Sequence, residues 1–211
     1  MEFARLLEIV ADEPVFETGL LLAGGVEPGD VRKQLSRWAG KLYQLRRGLY
    51  ALAPPFQKVK PHPFLVANHM VGGSYVSCQS ALAFHGLIPE YTPVTTSVTT
   101  ARPAHWDTPL GSFDFRHVKA DLFFGYRLLA LGDAQQAFVA TPEKALLDLV
   151  HLHPGGDSPN YLRELRLQNL EQLDLDELRR QAERTGSGKL RRAAAFVAGL
   201  ARSERVEYET V

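Results

Sequence analysis

Between residues 31 and 60 the chain carries eight bases, Arg32, Lys33, Arg37, Lys41, Arg46, Arg47, Lys58 and Lys60, and not one acid. The preceding stretch reverses the balance, with seven acids, Glu2, Glu8, Asp12, Glu13, Glu17, Glu27 and Asp30, against Arg5 alone. An acid-free run of cations binds anions, and the anion that rewards it most is the phosphate backbone of a nucleic acid. The formal net charge is zero over 211 residues, so the field is local and whole-molecule charge conceals it.

Three elements must present those cations. A helix starting at Val31 and turning 100° per residue sets Val31, Leu35 and Trp38 within an arc of about 60°, which predicts a buried seam. Lys33, Ser36 and Arg37 fall on the other side. Ahead of it, Phe3, Leu6, Leu7 and Val10 keep helical spacing up to Pro14, and Thr18 is placed to cap a short helix that Gly24-Gly25 ends. Pro28-Gly29-Asp30 then supplies the turn and cap for the third helix. Behind it, two short strands, Lys41 to Leu45 and Leu49 to Leu52, flank Arg46-Arg47-Gly48, where glycine suits the left-handed position of a three-residue hairpin. Residues 1–60 therefore read as a winged helix-turn-helix, with Arg32, Lys33, Ser36, Arg37, Lys41, Arg46 and Arg47 as its DNA-binding side chains. Trp38, Tyr43 and Tyr50 could stack on bases, but their spacing assigns them to the core.

Pro54-Pro55, Pro61 and Pro63 break regular structure and mark a linker over 53–63 that leaves the small domain free to fold alone. Residues 61–211 read as a larger mixed α+β domain with a helical tail from about 160. A helix near Phe64–Met70 precedes a strand at Tyr75-Val76, and Ser77 stands as N-cap of a helix to His85. Val94–Thr100, Ser112–Val118, Leu122–Leu131 and Ala137–Val139 have the composition of strands. Thr141-Pro142-Glu143 opens a strong helix, Asp174 caps another, and Leu190, Ala194, Val197 and Ala201 line one face of the last.

Catalytic chemistry finds less support. His85, Asp114, His117, Glu143 and Asp148 could in principle assemble a metal or acid–base site, but no His-Glu-x-x-His, paired carboxylates at metal spacing or glycine-rich phosphate loop occurs. Ser77 and Ser80 with His85 would suggest a nucleophile, yet a helix cap explains Ser77 better. Lys144 and Asp148, four apart on one helix, read as a surface pair. No cofactor, metal or enzymatic activity is expected. The single cysteine, Cys78, forms no internal disulfide, and no apolar run approaches the ~18 residues of a membrane span, so the chain reads as cytoplasmic.

Three segments in this order carry a resemblance: Lys41-Leu42-Tyr43-Gln44-Leu45-Arg46-Arg47-Gly48-Leu49-Tyr50-Ala51-Leu52; Tyr75-Val76-Ser77-Cys78-Gln79-Ser80-Ala81-Leu82 with His85-Gly86-Leu87; and Pro142-Glu143-Lys144-Ala145-Leu146-Leu147-Asp148-Leu149. Residues 2–150 resemble the AbiEi-type antitoxins of type IV toxin–antitoxin systems. The resemblance implies an autorepressor that binds inverted repeats in double-stranded operator DNA. It also implies that the larger domain counteracts a nucleotidyltransferase toxin without needing a stable complex. The tail after residue 151 departs from the pattern, which leaves open a winged-helix transcription factor whose larger domain senses a small ligand, and an enzyme with a DNA-targeting module.

Overall fold

A computed structural model describes residues 1–89 and 92–209 and shows a mixed α+β chain. The first part runs α1 (Phe3–Val10), β1 (Phe16–Glu17), α2 (Gly19–Ala23), a 3-10 turn (Pro28–Asp30) leading into α3 (Val31–Arg37), then β2 (Leu42–Arg46) and β3 (Leu49–Leu52). The strands form an antiparallel sheet in the order β1-β3-β2. Leu6 and Val10, one turn apart on α1, are fully buried and pack with Phe16, Leu21, Trp38 and Leu52.

The hairpin is tighter than its glycine alone predicts. Arg46 pairs with Leu49, so only Arg47 and Gly48 form the turn, and the register slips between Gln44 and Arg46. Leu45 is the residue left over in that bulge, and it points into the protein with 2% of its surface exposed. Gly48 holds φ +86°, where a side chain would be strained, and its carbonyl accepts from Thr18 N–H at 3.0 Å. Thr18 begins α2, but its side chain caps nothing; the backbone contact to the hairpin takes its place.

Residues 53–62 form no helix or strand, as their prolines require, and they are anchored. Ala53 donates to the Lys41 carbonyl at 2.9 Å, and the Pro54–Pro55 peptide is cis. The Gln135 side chain clamps the far end, accepting from His62 N–H at 2.8 Å and donating to the Lys60 carbonyl at 3.0 Å.

The larger part contains α4 (Pro63–Met70), β4 (Ser74–Val76), α5 (Cys78–Phe84), β5 (Val94–Thr99), β6 (Ala104–Thr108), β7 (Gly111–His117), β8 (Tyr126–Gly132), β9 (Gln135–Ala140), α6 (Pro142–Leu152), α7 (Pro159–Glu164), α8 (Leu175–Arg184) and α9 (Gly188–Glu209). Its mixed sheet has the order β6-β7-β5-β4-β9-β8, with β4–β9 and β5–β7 parallel. Strand β6 is absent from the sequence reading because Ala-His-Trp-Asp-Thr, though it alternates, is a short half-exposed edge with only two apolar residues and two poor strand formers, Ala104 and Asp107. The extended stretch expected from Leu122 begins only at Tyr126, after a 3-10 turn at Ala120–Leu122. Thr141 and Asp174 cap α6 and α8 through their side chains, and Leu190, Ala194, Val197 and Ala201 are buried along α9. No helix among the described residues is long and apolar enough to cross a membrane.

The two parts share buried surface. Val15, Leu45, Leu49 and Ala51 from the first sixty residues belong to the same apolar cluster as Tyr75, Phe113, Phe115 and Val139.

His62 caps α4 with its ring: Nδ1 accepts from Phe64 N–H at 3.1 Å, so this cap requires an unprotonated nitrogen. Burial holds the His62 imidazole below its usual value, and the same cause acts on His151. Both depressed groups contribute stability above about pH 6.5, lost as pH falls through that value toward the folded-state pKa. His62→Asn, whose amide oxygen caps at any pH, is expected to reduce the loss of stability between about pH 7 and pH 5. Urea midpoints measured across that range check it, and an unchanged slope would remove His62 from the account.

Candidate nucleic-acid interface

Helix α3 and the β2–β3 hairpin enclose an open groove of about 880 Å³. Arg32 and Ser36, four apart and therefore on one face of α3, line one wall, while Gln44, Arg47 and Gly48 line the other. Both arginines are exposed, and the groove lining contains no Asp or Glu. Val31 and Leu35 lie half-buried along this groove, and Trp38 is buried. The expected seam is present, since Val31 and Leu35 pack against the cluster that buries Trp38, and it is extended by one residue that the apolar pattern does not mark, Gln34. Its Nε2 donates to the Met1 carbonyl at 2.8 Å, so a polar side chain takes a core position by satisfying the backbone.

The other expected cations point elsewhere. Lys33 pairs with Asp30 at 3.0 Å, and with Arg37 it lines a separate hollow that also contains Glu27. Asp30, expected to cap α3, makes no side-chain cap and holds Lys33 instead. The Lys41 ammonium sits 4.5 Å from the centre of the Phe3 ring and 5.8 Å from that of Phe56. Arg46 turns back into the protein: its guanidinium donates to the His69 carbonyl at 3.1 Å, to Glu17 at 3.4 Å and to the Arg47 carbonyl at 3.0 Å. Its Nε is buried without a partner. Of the seven residues read from sequence, Arg32, Ser36 and Arg47 converge, Lys33 and Arg37 flank them, and Lys41 and Arg46 are engaged internally.

The polar residues of the larger part form a different kind of centre. Asp148 is buried and accepts from Tyr75 Oη at 2.9 Å, from Ser77 Oγ at 2.7 Å and from Lys144 Nζ. Lys144 and Asp148 are only 3% and 2% exposed, so the expected surface pair is an ion pair in the core. Ser77 stands at the N-cap position of α5, yet its hydroxyl serves Asp148 and caps nothing. Stepped at 100° per residue, Ala145, Leu146, Leu147, Leu149 and Val150 cover about 200° of α6 and leave Lys144, Asp148 and His151 together on the remaining arc, so the sequence presents a polar face whose Lys144 and Asp148 only the fold buries. Gly125, at φ +73°, lies against the Lys144 stem so closely that a Cβ would stand 3.0 Å from two of its carbons. Burial pushes the Asp148 carboxyl up, while Lys144 and the two hydroxyls pull it back. Burial also pushes the Cys78 thiol up, so it is not a thiolate.

His85 contacts the Ala140 carbonyl at 2.8 Å, His117 contacts that of Ala101 at 3.0 Å, and Glu143 accepts from Asp174 N–H at 3.0 Å. Among the described residues no three metal-ligating side chains come together.

No protein-family model matches the chain, and a search of curated proteins finds nothing similar. The three segments quoted above therefore gain no support from these comparisons. Two of them, β4–α5 and α6, meet at the Asp148 cluster.

Removing one partner of a buried pair strands the other charge, so Lys144→Met should cost about 3–5 kcal/mol. Adding Asp148→Asn should recover part of that loss by removing the uncompensated carboxylate. Chemical denaturation of both variants checks this, and a double variant no more stable than Lys144→Met would show that the charge is not the source of the cost.

Proposed function

We propose that the chain is a DNA-binding autorepressor and antitoxin of a type IV toxin–antitoxin system. In this reading residues 1–60 act as a winged helix-turn-helix on double-stranded operator DNA, and residues 61–211 oppose a nucleotidyltransferase toxin. The observation that carries the DNA reading is the acid-free groove with Arg32 on its helical wall and Arg47 on its hairpin wall. An α-helix with its side chains is about 10–12 Å across, so the seven-residue α3 fits a major groove about 12 Å wide. With α3 seated there, Arg32 and Ser36 face base edges or phosphates, and Arg47 at the hairpin turn meets the backbone beside it. The antitoxin half of the proposal draws on the sequence resemblance, which spans the hairpin, β4–α5 and α6.

Arg32→Glu with Arg47→Glu should abolish binding to the promoter of the chain's own operon in an anisotropy titration. Lys58→Glu, an equal charge change at a lysine that pairs with Asp12 outside the groove, should have little effect. In the wild type, affinity should fall linearly with salt on logarithmic axes, with a slope near −0.9 per phosphate contacted. Affinity unchanged in the double variant, or insensitive to salt, would remove the DNA assignment. Expressed from an unrelated promoter, the same double variant should still rescue growth from the neighbouring nucleotidyltransferase; failure there would tie antitoxicity to the groove.

A further inference from the structure

Strand β8 is one of the two edge strands of the six-stranded sheet, β6 being the other. Among the described residues, no backbone hydrogen bond beyond its ladder with β9 engages Tyr126–Gly132. Natural edge strands are usually blunted by charge or proline, yet this one reads Tyr-Arg-Leu-Leu-Ala-Leu-Gly with Arg127 as its single charge. Leu128 is 52% exposed, the most of any large hydrophobic side chain described, and its direct cross-strand partner Phe138 is 43% exposed. The two share a face and border a hollow of about 510 Å³ with Phe123 and Tyr126.

We propose that β8 pairs with itself: two copies of the chain join antiparallel, β8 to β8, about a two-fold axis at Leu128, making one sheet across both. Facing residues then sum to one register, Leu128 on Leu128, Arg127 on Leu129 and Tyr126 on Ala130. Phe138, Leu128, the second Leu128 and the second Phe138 form one apolar row across four strands spaced about 4.8 Å apart. Tyr126 meets the small Ala130, and this regular stretch ends before the bulge between Ala130 and Gly132.

Charge selects the second copy as the occupant. Leu129 lines a hollow of about 400 Å³ together with Glu143, Asp174, Glu177 and the chain's own Arg127, so acids outnumber bases there and a second arginine is favoured. In this register the Arg127 of each copy stands opposite the other's Leu129, beside those acids, and symmetry makes the contact twice. The two arginines lie about 8 Å apart, whereas a parallel pairing would set them side by side at about 4.8 Å. This pairing does not depend on DNA binding.

Leu128→Cys tests the register, because its symmetry mate lies directly opposite, about 4.5–5.5 Å between Cα atoms and within disulfide reach. The native Cys78 is 2% exposed and does not compete. Mild oxidation should convert most of Leu128→Cys to a covalent dimer. Ala130→Cys, whose mates lie about 14 Å apart along the strands, should stay uncrosslinked. By sedimentation equilibrium the wild type should dimerise, and Leu128→Lys should raise the dissociation constant by at least about tenfold with an unchanged circular dichroism spectrum. A wild type that remains monomeric up to sub-millimolar concentration would overturn the proposal. So would equal crosslinking of both cysteine variants, or a β8 edge that takes a strand only from another protein.

Discussion

A single carboxylate in the core fixes how the larger part is assembled. Asp148 gathers Tyr75 from β4, Ser77 from the strand-to-helix turn and Lys144 from its own helix. Each donor satisfies an oxygen that would otherwise be buried dry, and the ion pair offsets the desolvation of both charges only while all three stay in place. That condition locks α6 in one register on the sheet. The first turn of α6 passes the constraint on, since Glu143 accepts from Asp174 N–H at the start of α8. Slippage of α6 by one turn would strand the carboxylate among leucines, so the polar cluster contributes specificity where apolar packing alone would tolerate alternatives.

The reading groove depends on this body as well. The hairpin is fixed to the larger part by Leu45 and Leu49 in the shared core and by the Arg46 guanidinium on the His69 carbonyl. Arg46 and Arg47 are neighbours in sequence with opposite employments, one holding the hairpin in place and the other left exposed at its turn. The direction in which Arg47 points is therefore set by the larger part as much as by the hairpin.

Much of this was legible in the sequence, and the failures share one cause. The caps at Thr141 and Asp174, the hairpin strands and the buried stripe of α9 follow from local chemistry, and they stand where spacing puts them. Periodicity gives the face of an element and not the neighbour it meets. It therefore misses Gln34 beside the seam of Val31, Leu35 and Trp38, places Lys144 and Asp148 on a surface that α6 lacks, and gives Arg46 a partner outside the chain. The acid-free stretch was visible as composition, but only folding decides that Arg32, Ser36 and Arg47 share a groove while Lys33 finds Asp30.

The clamp on the proline-rich segment has a consequence for the chain while it is being made. Gln135 holds Lys60 and His62, yet it lies more than seventy positions downstream. Val15, Leu45, Leu49 and Ala51 likewise await Phe113, Phe115 and Val139. A ribosome adding 5–20 residues per second needs roughly 4–16 s to travel from residue 60 to residue 140. For a wait of that length the emerged amino-terminal part keeps one apolar flank uncovered, a surface of the kind that chaperones of nascent chains cover.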